Sequence, residues 1–330
     1  MPTGPILIVD DESANLAALD QILSSDYPLV FASNGRDAIS AVKKHRPSLI
    51  LLDVQMPDMS GYAVCQHLKE NPDTSDTPIL FVTSLSDIDN ESEAFKVGAV
   101  DYLTKPVTPA VVKARVRTHL SLVRASKLER SYCDAISMLG SAGHFNDTDT
   151  GVHIWRMAAY AKLLAIEIGW KTESANLLEL AAPMHDTGKI GIPDSILKKP
   201  AKLDAGEWIV MKTHTTIGHG ILSQSDAPVF QLAAEISLRH HEKWDGTGYP
   251  DGLRGDAIPE SCRIVALADV FDALTMRRPY KEPWPIDEVV KTIRQGYGSH
   301  FEPRIVDAFS KVLPEILETK MQWDAREHSS

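Results

Sequence analysis

A histidine and an aspartate, His185 and Asp186, stand side by side in the second half of the chain, and Lys189 follows one helical turn later. Imidazole and carboxylate groups both bind metal ions, and a lysine ammonium is a point charge suited to a phosphate oxygen. Such a dipeptide is common by itself, but further candidate ligands lie on both sides of it in helix-like or capping contexts. These are His153, His214, His240, His241 and Asp269. The pattern predicts a metal centre that acts on phosphate groups.

Together with His185 and Asp186, these candidates form a nitrogen-rich set that includes two carboxylates and no thiolate. The set suits iron, manganese, nickel or zinc better than magnesium, and iron is our first choice. It is too large for one ion that keeps an open position, so we expect two metals bridged by Asp186. Two metals a few ångströms apart can activate a water and stabilise an in-line displacement at phosphorus. Phosphodiester hydrolysis, with Asp186 and Lys189 in catalytic roles, is therefore the predicted reaction.

The elements that must position such groups differ between the two parts of the chain. In the first part, short apolar runs typical of buried parallel strands alternate with helix-like periodic segments. The predicted strands are 6–9, 49–52, 79–82 and 101–103, and the predicted helices are 14–23, 35–45 and 61–69. This alternation indicates a doubly wound α/β domain with a parallel sheet.

Polar residues stand at the carboxyl ends of these strands, where open α/β sheets bind their ligands. They are Asp10, Asp11, Asp53, Thr83 and Lys105. Carboxylates that lie close together repel one another, so magnesium held by Asp10, Asp11 and Asp53 is the natural neutraliser. Asp53 could then accept a phosphoryl group. An acidic residue at a strand end can also simply cap a helix, which is the simpler interpretation of Asp11 taken alone.

The order and spacing of these residues resemble the receiver domain of two-component response regulators, over roughly residues 6–120. The resemblance rests on Asp10-Asp11, Asp53 with Met56-Pro57, Thr83-Ser84, and Tyr102 with Lys105-Pro106. It implies that Asp53 is the phosphoacceptor and that Asp10 and Asp11 hold magnesium. It also implies that Thr83 and Lys105 contact the phosphoryl oxygens and that Tyr102 is an aromatic switch. A cognate histidine kinase is the implied partner.

Residues 108–139 contain no glycine, and their apolar residues recur at helical spacing. We predict a connecting helix over residues 108–140 that continues the last receiver helix and is broken by Gly140 and Gly143. Its apolar stripe, which includes Val112 and Val116, packs either on its own domain or on a second copy of the chain in a homodimer.

The remaining residues predict a mainly helical, all-α domain, and its motifs resemble the HD-GYP family of phosphodiesterases. The motifs are Thr150-Gly151-x-His153, His185-Asp186-x-Gly188-Lys189, His214, His240-His241 followed by Gly248-Tyr249-Pro250, and Ala268-Asp269-x-x-Asp272-Ala273-Leu274-Thr275. The resemblance implies an HD-type fold and cyclic di-GMP as the substrate, which is cut to linear pGpG and often onward to GMP.

The same resemblance divides the ligands between the two metals. It assigns His153, His185, Asp186 and Asp269 to one metal and His214, His240 and His241 to the other. It also implies that Lys189, Arg278 and Lys281 contact the phosphates of the substrate. Asp149 stands where some members have a longer glutamate that helps to bind a third metal, so two metals are expected here. Met276-Arg277 departs from the more usual Ser-Asp before Arg278.

The 330 residues suffice for two domains, which we place at 1–122 and 141–330 on either side of the connecting helix. A net charge of −11 argues against DNA and anionic membranes as partners. No run of about 18 apolar residues is present, so no membrane span is expected. The three scattered cysteines indicate a reducing cytoplasm.

The leading hypothesis is a response regulator in which phosphorylation of Asp53, transmitted by the connecting helix, controls a cyclic di-GMP phosphodiesterase. One alternative is a catalytically weak module that binds a cyclic dinucleotide and acts through protein contacts, for example with a diguanylate cyclase-type partner. Another is a phosphodiesterase for a different cyclic dinucleotide, such as cyclic GMP-AMP. The complete ligand set disfavours the first alternative, whereas the sequence does not exclude the second.

Overall fold

The computed structural model describes residues 4–84, 95–144, 153–276 and 282–327. The chain forms two compact units that divide between Ser131 and Tyr132. The first is an α/β unit with a parallel sheet, and the second is helical. The predicted fold class is therefore confirmed.

The first unit is built on five parallel strands in the order β2-β1-β3-β4-β5. The strands are β1 Ile6–Val9, β2 Leu29–Ala32, β3 Leu49–Asp53, β4 Ile79–Thr83 and β5 Asp101–Thr104. The helices α1 Ser13–Leu23, α2 Gly35–His45 and α3 Gly61–Glu70 lie between them. The sequence pattern does not predict β2. This edge strand is only partly covered, and Phe31 is 43% exposed, so it lacks the fully buried signature of the inner strands.

Both faces of the sheet are buried, which explains why its inner strands are continuous apolar runs. Ile6 and Ile8 of β1 point to one face, where Leu19 of α1 packs, whereas Leu7 and Val9 point to the other, where α2 and α3 pack. This layering leaves the carboxyl ends of β1, β3, β4 and β5 together at one edge of the sheet.

The connecting helix, α4, runs from Pro109 to His144 without interruption over 36 residues. The prediction that Gly140 and Gly143 break it is wrong. A Cβ atom on Gly140 would lie 3.2 Å from Cβ of Pro183, and one on Gly143 would lie 2.8 Å from Cα of Thr187. These glycines therefore let the helix approach a neighbouring segment closely, and they do not end it.

Nine further helices form the described part of the second unit. They are α5 His153–Glu167, α6 Thr172–Ala181, α7 Asp194–Leu197, α8 Ala205–Lys212, α9 His214–Leu222, α10 Pro228–Arg239, α11 Glu260–Thr275, α12 Ile286–Gln295 and α13 Pro303–Glu327. Tyr160, Phe271 and Phe309 meet edge to face in the core and tie together α5, α11 and α13. Within the described segments, no helix combines the length and apolar character that a bilayer crossing needs.

Candidate metal centre

His185 and Asp186 lie between two 3-10 turns that follow α6, Ala182–Met184 and Thr187–Gly191. Both side chains are buried. Gly188 allows this segment to pack directly on α9, because a Cβ atom at this position would lie 1.8 Å from the carbonyl oxygen of His214. Only glycine fits such a contact, and the contact brings His214 against Asp186.

Three histidine rings beside Asp186 are held in the same way, with Nδ1 against a backbone carbonyl oxygen of the preceding turn. The pairs are His185 with Ala182 at 2.9 Å, His214 with Met211 at 2.8 Å, and His240 with Ile236 at 3.0 Å. A carbonyl oxygen can only accept a hydrogen bond, so each Nδ1 must donate one. In the neutral ring, Nε2 then keeps the lone pair that binds metals.

The two carboxylate oxygens of Asp186 face different groups. Oδ1 lies 3.4 Å from Nε2 of His214 and 3.7 Å from Nε2 of His240. Oδ2 lies 3.2 Å from Nε2 of His185 and 2.8 Å from Nζ of Lys189. Asp186 thus lies between His214 and His240 on one side and His185 with Lys189 on the other.

One of these sets fits a metal ion on the chemistry of its atoms. Asp186, His214, His240 and His241 each offer a ligand atom, and these atoms lie within 4.8 Å of one another. In the described structure, Oδ1 of Asp186 and Nε2 of His214 and of His240 are buried without a hydrogen-bond partner. Buried polar atoms are costly unless something satisfies them. Three imidazoles and one carboxylate therefore fit a transition metal.

Burial and neighbouring charges set the protonation states of the site. Burial alone would raise the pKa of Asp186, but Lys189 and His185 hold the pKa of that carboxyl well below its usual range. Burial lowers the pKa of His214 to about 4. Burial, together with the neighbouring histidines, also lowers the pKa of His241 well below its ordinary value. The ionised carboxylate of Asp186 and the neutral imidazoles of His214 and His241 are the forms that bind metals. His185 differs, because burial acts to lower its pKa but the charge of Asp186 raises that pKa to about 9.

Helix α11 carries one of the other predicted ligands, Asp269, and contacts a second, His153. Oδ1 of Asp269 lies 3.9 Å from Nε2 of His185. One turn further along α11, Oδ2 of Asp272 lies 3.0 Å from Nδ1 of His153, the first residue of α5. The sequence predicts His153 and Asp269 as ligands but gives no role to Asp272. Its spacing from Asp269, one helical turn, was the available signal.

Lys189 is the predicted phosphate-contacting cation that the structure describes. Its side chain is 18% exposed, and it lies on the 3-10 turn directly after Asp186. The predicted cations Arg278 and Lys281 lie outside the described residues, as does Asp149.

Aromatic groups to which the sequence assigns no role lie beside the histidines. The ring centroid of Tyr249 is 4.7 Å from that of His241, and the ring of Trp208 meets Tyr249 edge to face at 6.4 Å. Nζ of Lys212 lies 5.1 Å from the centroid of the Tyr249 ring. Trp208 and Lys212 share one face of α8, and Trp208 is 45% exposed. Aromatic faces next to a cation suit a ligand that carries both bases and phosphates.

The loop after α10 positions Tyr249. The buried carboxylate of Glu242 accepts hydrogen bonds from the backbone N–H groups of Asp251 at 2.8 Å and Leu253 at 3.0 Å. Gly248 lets the loop fold against its own start, because a Cβ atom there would lie 2.4 Å from the backbone nitrogen of Lys243. The loop is thus an internally bonded structure and not a loose turn.

In the first unit, a second cluster of carboxylates lies at the carboxyl edge of the sheet. Asp10, Asp11 and Asp53 place oxygens within 4.8 Å of one another, and Nζ of Lys105 lies 2.9 Å from Asp10 and 3.0 Å from Asp53. Burial raises the pKa of Asp53 in spite of the hydrogen bond from Lys105, and the charge of Asp10 adds to the rise. A divalent cation would relieve this crowding. Thr83 ends β4 beside them, and its carbonyl accepts the backbone N–H of Lys105 at 2.7 Å.

The strand that carries Tyr102 is bonded to the connecting helix. Asp101 forms an ion pair with Arg115 and a hydrogen bond of 2.9 Å with Nε2 of His119, and both partners belong to α4. The guanidinium of Arg115 also lies 5.8 Å from the centroid of the Tyr102 ring. A change in the conformation of β5 would therefore alter its contacts with α4 directly.

Two family models match the chain, a response regulator receiver domain over residues 6–117 and an HD domain over residues 122–305. A probable cyclic di-GMP phosphodiesterase of Vibrio cholerae is 40% identical, with 92% of this chain and 76% of the relative covered. The cyclic di-GMP phosphodiesterase response regulator RpfG of Xanthomonas campestris is 38% identical, with 92% of this chain and 86% of the relative covered. A 3'3'-cGAMP-specific phosphodiesterase of Vibrio cholerae is 47% identical over a shorter stretch, 54% of this chain and 34% of the relative.

Proposed function

Because the chain belongs to the response regulators that join a receiver domain to an HD domain, we propose that it is a receiver-controlled, metal-dependent phosphodiesterase. Its substrate is cyclic di-GMP, and its products are linear pGpG, GMP or both. The observation that carries this proposal is Asp186, a buried carboxylate with one oxygen toward His214 and His240 and the other toward His185. That geometry supports a two-metal centre.

The ligands divide around Asp186 into two sets. His153, His185 and Asp269 would hold one metal, His214, His240 and His241 would hold the other, and Asp186 would serve both. The nitrogen-rich donors support iron, with manganese, nickel or zinc as alternatives. A bound metal pair supplies an activated water and stabilises charge at a phosphorus centre during in-line displacement. The backbone carbonyls behind His185, His214 and His240 keep their Nε2 atoms oriented for this task.

Substrate binding uses cations and rings at the same site. Lys189 contacts a phosphate oxygen, with Arg278 and Lys281 as further phosphate contacts carried over from the family resemblance. The exposed ring of Trp208 and the ring of Tyr249 offer stacking surfaces for a base. These local groups provide the attraction for an anionic dinucleotide that a net charge of −11 does not.

We expect replacement of Lys189 by alanine to lower kcat/KM for cyclic di-GMP about tenfold or more, which corresponds to roughly 1.4 kcal/mol. The reason is the loss of a positive charge beside the reacting phosphate. Metal content should stay at the wild-type value, because Lys189 is not a ligand. Lys198→Ala is the matched control, since that lysine lies on a neighbouring exposed turn and pairs with Asp194. Equal loss of activity in both variants would contradict the assignment.

A second cyclic dinucleotide is a candidate substrate for the same phosphodiester hydrolysis. The similarity to a 3'3'-cGAMP-specific phosphodiesterase supports cyclic GMP-AMP as an alternative. Chromatography of the products from parallel reactions with cyclic di-GMP and 3'3'-cGAMP distinguishes the two, because the preferred substrate is consumed with the higher kcat/KM. A binding module without turnover is a further alternative, and it predicts binding of both ligands with no product.

The receiver side of the proposal concerns Asp53, with Asp10 and Asp11 as magnesium ligands. A histidine kinase or a small phosphodonor transfers a phosphoryl group to Asp53, and Thr83 and Lys105 contact its oxygens. Tyr102 acts as the switch. We place the protein in the cytoplasm on the support of its three free cysteines, of which Cys65 and Cys262 are buried. A homodimer through α4 and a diguanylate cyclase-type partner are further proposals.

The connecting helix contacts the regulatory and the metal-binding elements through different residues. Within the first unit, Arg115 and His119 bond to Asp101 on β5. Within the second unit, Gly140 and Gly143 of the same helix approach Pro183 and Thr187, which flank His185 and Asp186. We propose that this helix carries the phosphorylation state of Asp53 to the metal centre. A signal of this kind acts only through contacts that differ between two states.

The coupling predicts that beryllofluoride, a mimic of the phosphoryl group, changes the rate of hydrolysis by about fivefold or more in the native protein. A Gly-Ser insertion after Leu122 should remove this response, because it interrupts the helix. The matched control inserts seven helix-forming residues at the same point. Two turns are about 7.2 residues, so the helix stays continuous and nearly in phase. A response that survives the Gly-Ser insertion, or that is absent from the native protein, would rule out this route.

A further inference from the structure

The proposed histidine ligands are not all anchored by the same kind of group. His185, His214 and His240 rest on backbone carbonyls, which no substitution removes. His153 instead places Nδ1 at 3.0 Å from Oδ2 of Asp272, a side-chain carboxylate that is fully buried. Asp272 belongs to no ligand cluster identified among the described residues.

Arg156 keeps Asp272 in its ionised form. Its guanidinium donates from Nε to Oδ1 at 2.6 Å and from Nη2 to Oδ2 at 2.9 Å. A guanidinium donates hydrogen bonds and cannot accept them, so both oxygens of Asp272 are acceptors in these contacts. An ionised carboxylate can only accept hydrogen bonds. Nδ1 of His153 must therefore be the donor in its contact with Asp272.

We propose that Asp272 is a positioning residue that fixes His153 with its hydrogen on Nδ1 and its lone pair on Nε2. This inference rests on the proposed function, in which Nε2 of His153 binds a metal. A carboxylate behind a histidine ligand fixes the ring orientation and strengthens the ligand. Asp269, itself a proposed ligand, lies one turn before Asp272, so α11 carries one ligand and the group that orients another.

The hydrogen-bond network supplies a matched control. Nη1 of Arg156 donates to Asp324 on α13 at 2.6 Å, and Asp324 also accepts from Lys320. Asp272→Asn and Asp324→Asn each remove one negative charge from beside Arg156 while keeping side-chain shape. The first also changes the partner of His153 Nδ1, because an amide can donate a hydrogen bond to that atom and favour the tautomer with hydrogen on Nε2.

The test measures iron binding and the histidine tautomer in the full-length chain. With iron(II) under anaerobic conditions, Asp272→Asn should weaken the binding of one metal about 10- to 100-fold. At a free iron concentration between the dissociation constants of the wild type and of this variant, Asp272→Asn should hold one metal per chain, and Asp324→Asn should hold two, as the wild type does. Nitrogen-15 NMR of the metal-free protein, with His153 identified by a His153→Gln variant, should show hydrogen on Nδ1 in the wild type and in Asp324→Asn.

Three results would overturn the proposal. They are hydrogen on Nε2 of His153 in the metal-free wild type, wild-type iron affinity in a folded Asp272→Asn variant, and equal iron loss in both variants. If Asp272→Asn does not fold, the tautomer in the wild type decides by itself. None of these readouts requires turnover. A wild type that binds two metals but does not hydrolyse cyclic di-GMP would defeat the proposed function and leave the role of Asp272 standing.

Discussion

Replacing Asp186 by alanine is expected to remove both metals and to lower hydrolysis of cyclic di-GMP by about a thousandfold or more. The reason is that this one buried carboxylate would serve both proposed metals, since Oδ1 lies toward His214 and His240 and Oδ2 toward His185. Loss of the metal pair removes several kcal/mol of transition-state stabilisation, and each 1.4 kcal/mol is about tenfold in rate.

The measurement combines metal analysis with initial rates on the same preparations. Asp194→Ala is the matched control, because this carboxylate lies at the start of α7 and its side chain is 64% exposed. The control should keep two metals and full activity. Asp186→Asn keeps one oxygen donor and should retain one metal with little turnover. Wild-type hydrolysis by the alanine variant would exclude a two-metal mechanism bridged by Asp186.

Replacing Asp53 by asparagine is expected to abolish phosphorylation by acetyl phosphate or a cognate kinase. Asp53 ends β3 at the carboxyl edge of the sheet, and its pKa is raised by burial and by the charge of Asp10, against the hydrogen bond from Lys105. Asparagine cannot form the acyl phosphate. The metals of the second unit should be unaffected, because their ligands are contributed by other residues.

The readout is the acid-stable, base-labile label on the intact chain, with metal content measured in parallel. Asp73→Asn serves as the control, since Asp73 is an exposed carboxylate of the same unit. It should be labelled to the same extent as the wild type. Persistent label in Asp53→Asn would move the phosphorylation site to another residue.

Periodic hydrophobic patterns predict most of this fold because they report burial directly. The inner strands of the sheet are buried on both faces, and their apolar runs are correspondingly continuous. The edge strand β2 is less buried, and the pattern does not predict it. The end of α4 is mispredicted because a glycine within a helix signals either a break or a close contact. Only the positions of Pro183 and Thr187 show that Gly140 and Gly143 make close contacts.

Prediction of the site depends on which chemical signal a residue carries in the chain. Ligand types in helix-like contexts single out Asp186, His214, His240 and His241 from the amino-acid sequence alone, and the fold brings these four together. Arg156 carries no comparable signal, and the spacing of Asp272 from Asp269 does not reveal its partners, because the pairing joins residues from α11 and α5 that are remote in sequence. The sequence also gives no sign that Trp208 belongs to the site, since an exposed aromatic residue is recognised as part of it only when Tyr249 and His241 are seen beside it.

Metal analysis of anaerobically purified protein, coupled to chromatography of its products from cyclic di-GMP, tests the central claim most directly. We predict two transition-metal ions per chain, with iron as the main metal, and conversion of cyclic di-GMP to pGpG, GMP or both. Removal of the metals by a chelator should stop the reaction, and readdition should restore it. A protein that holds two metals and binds cyclic di-GMP without forming either product would contradict the claim.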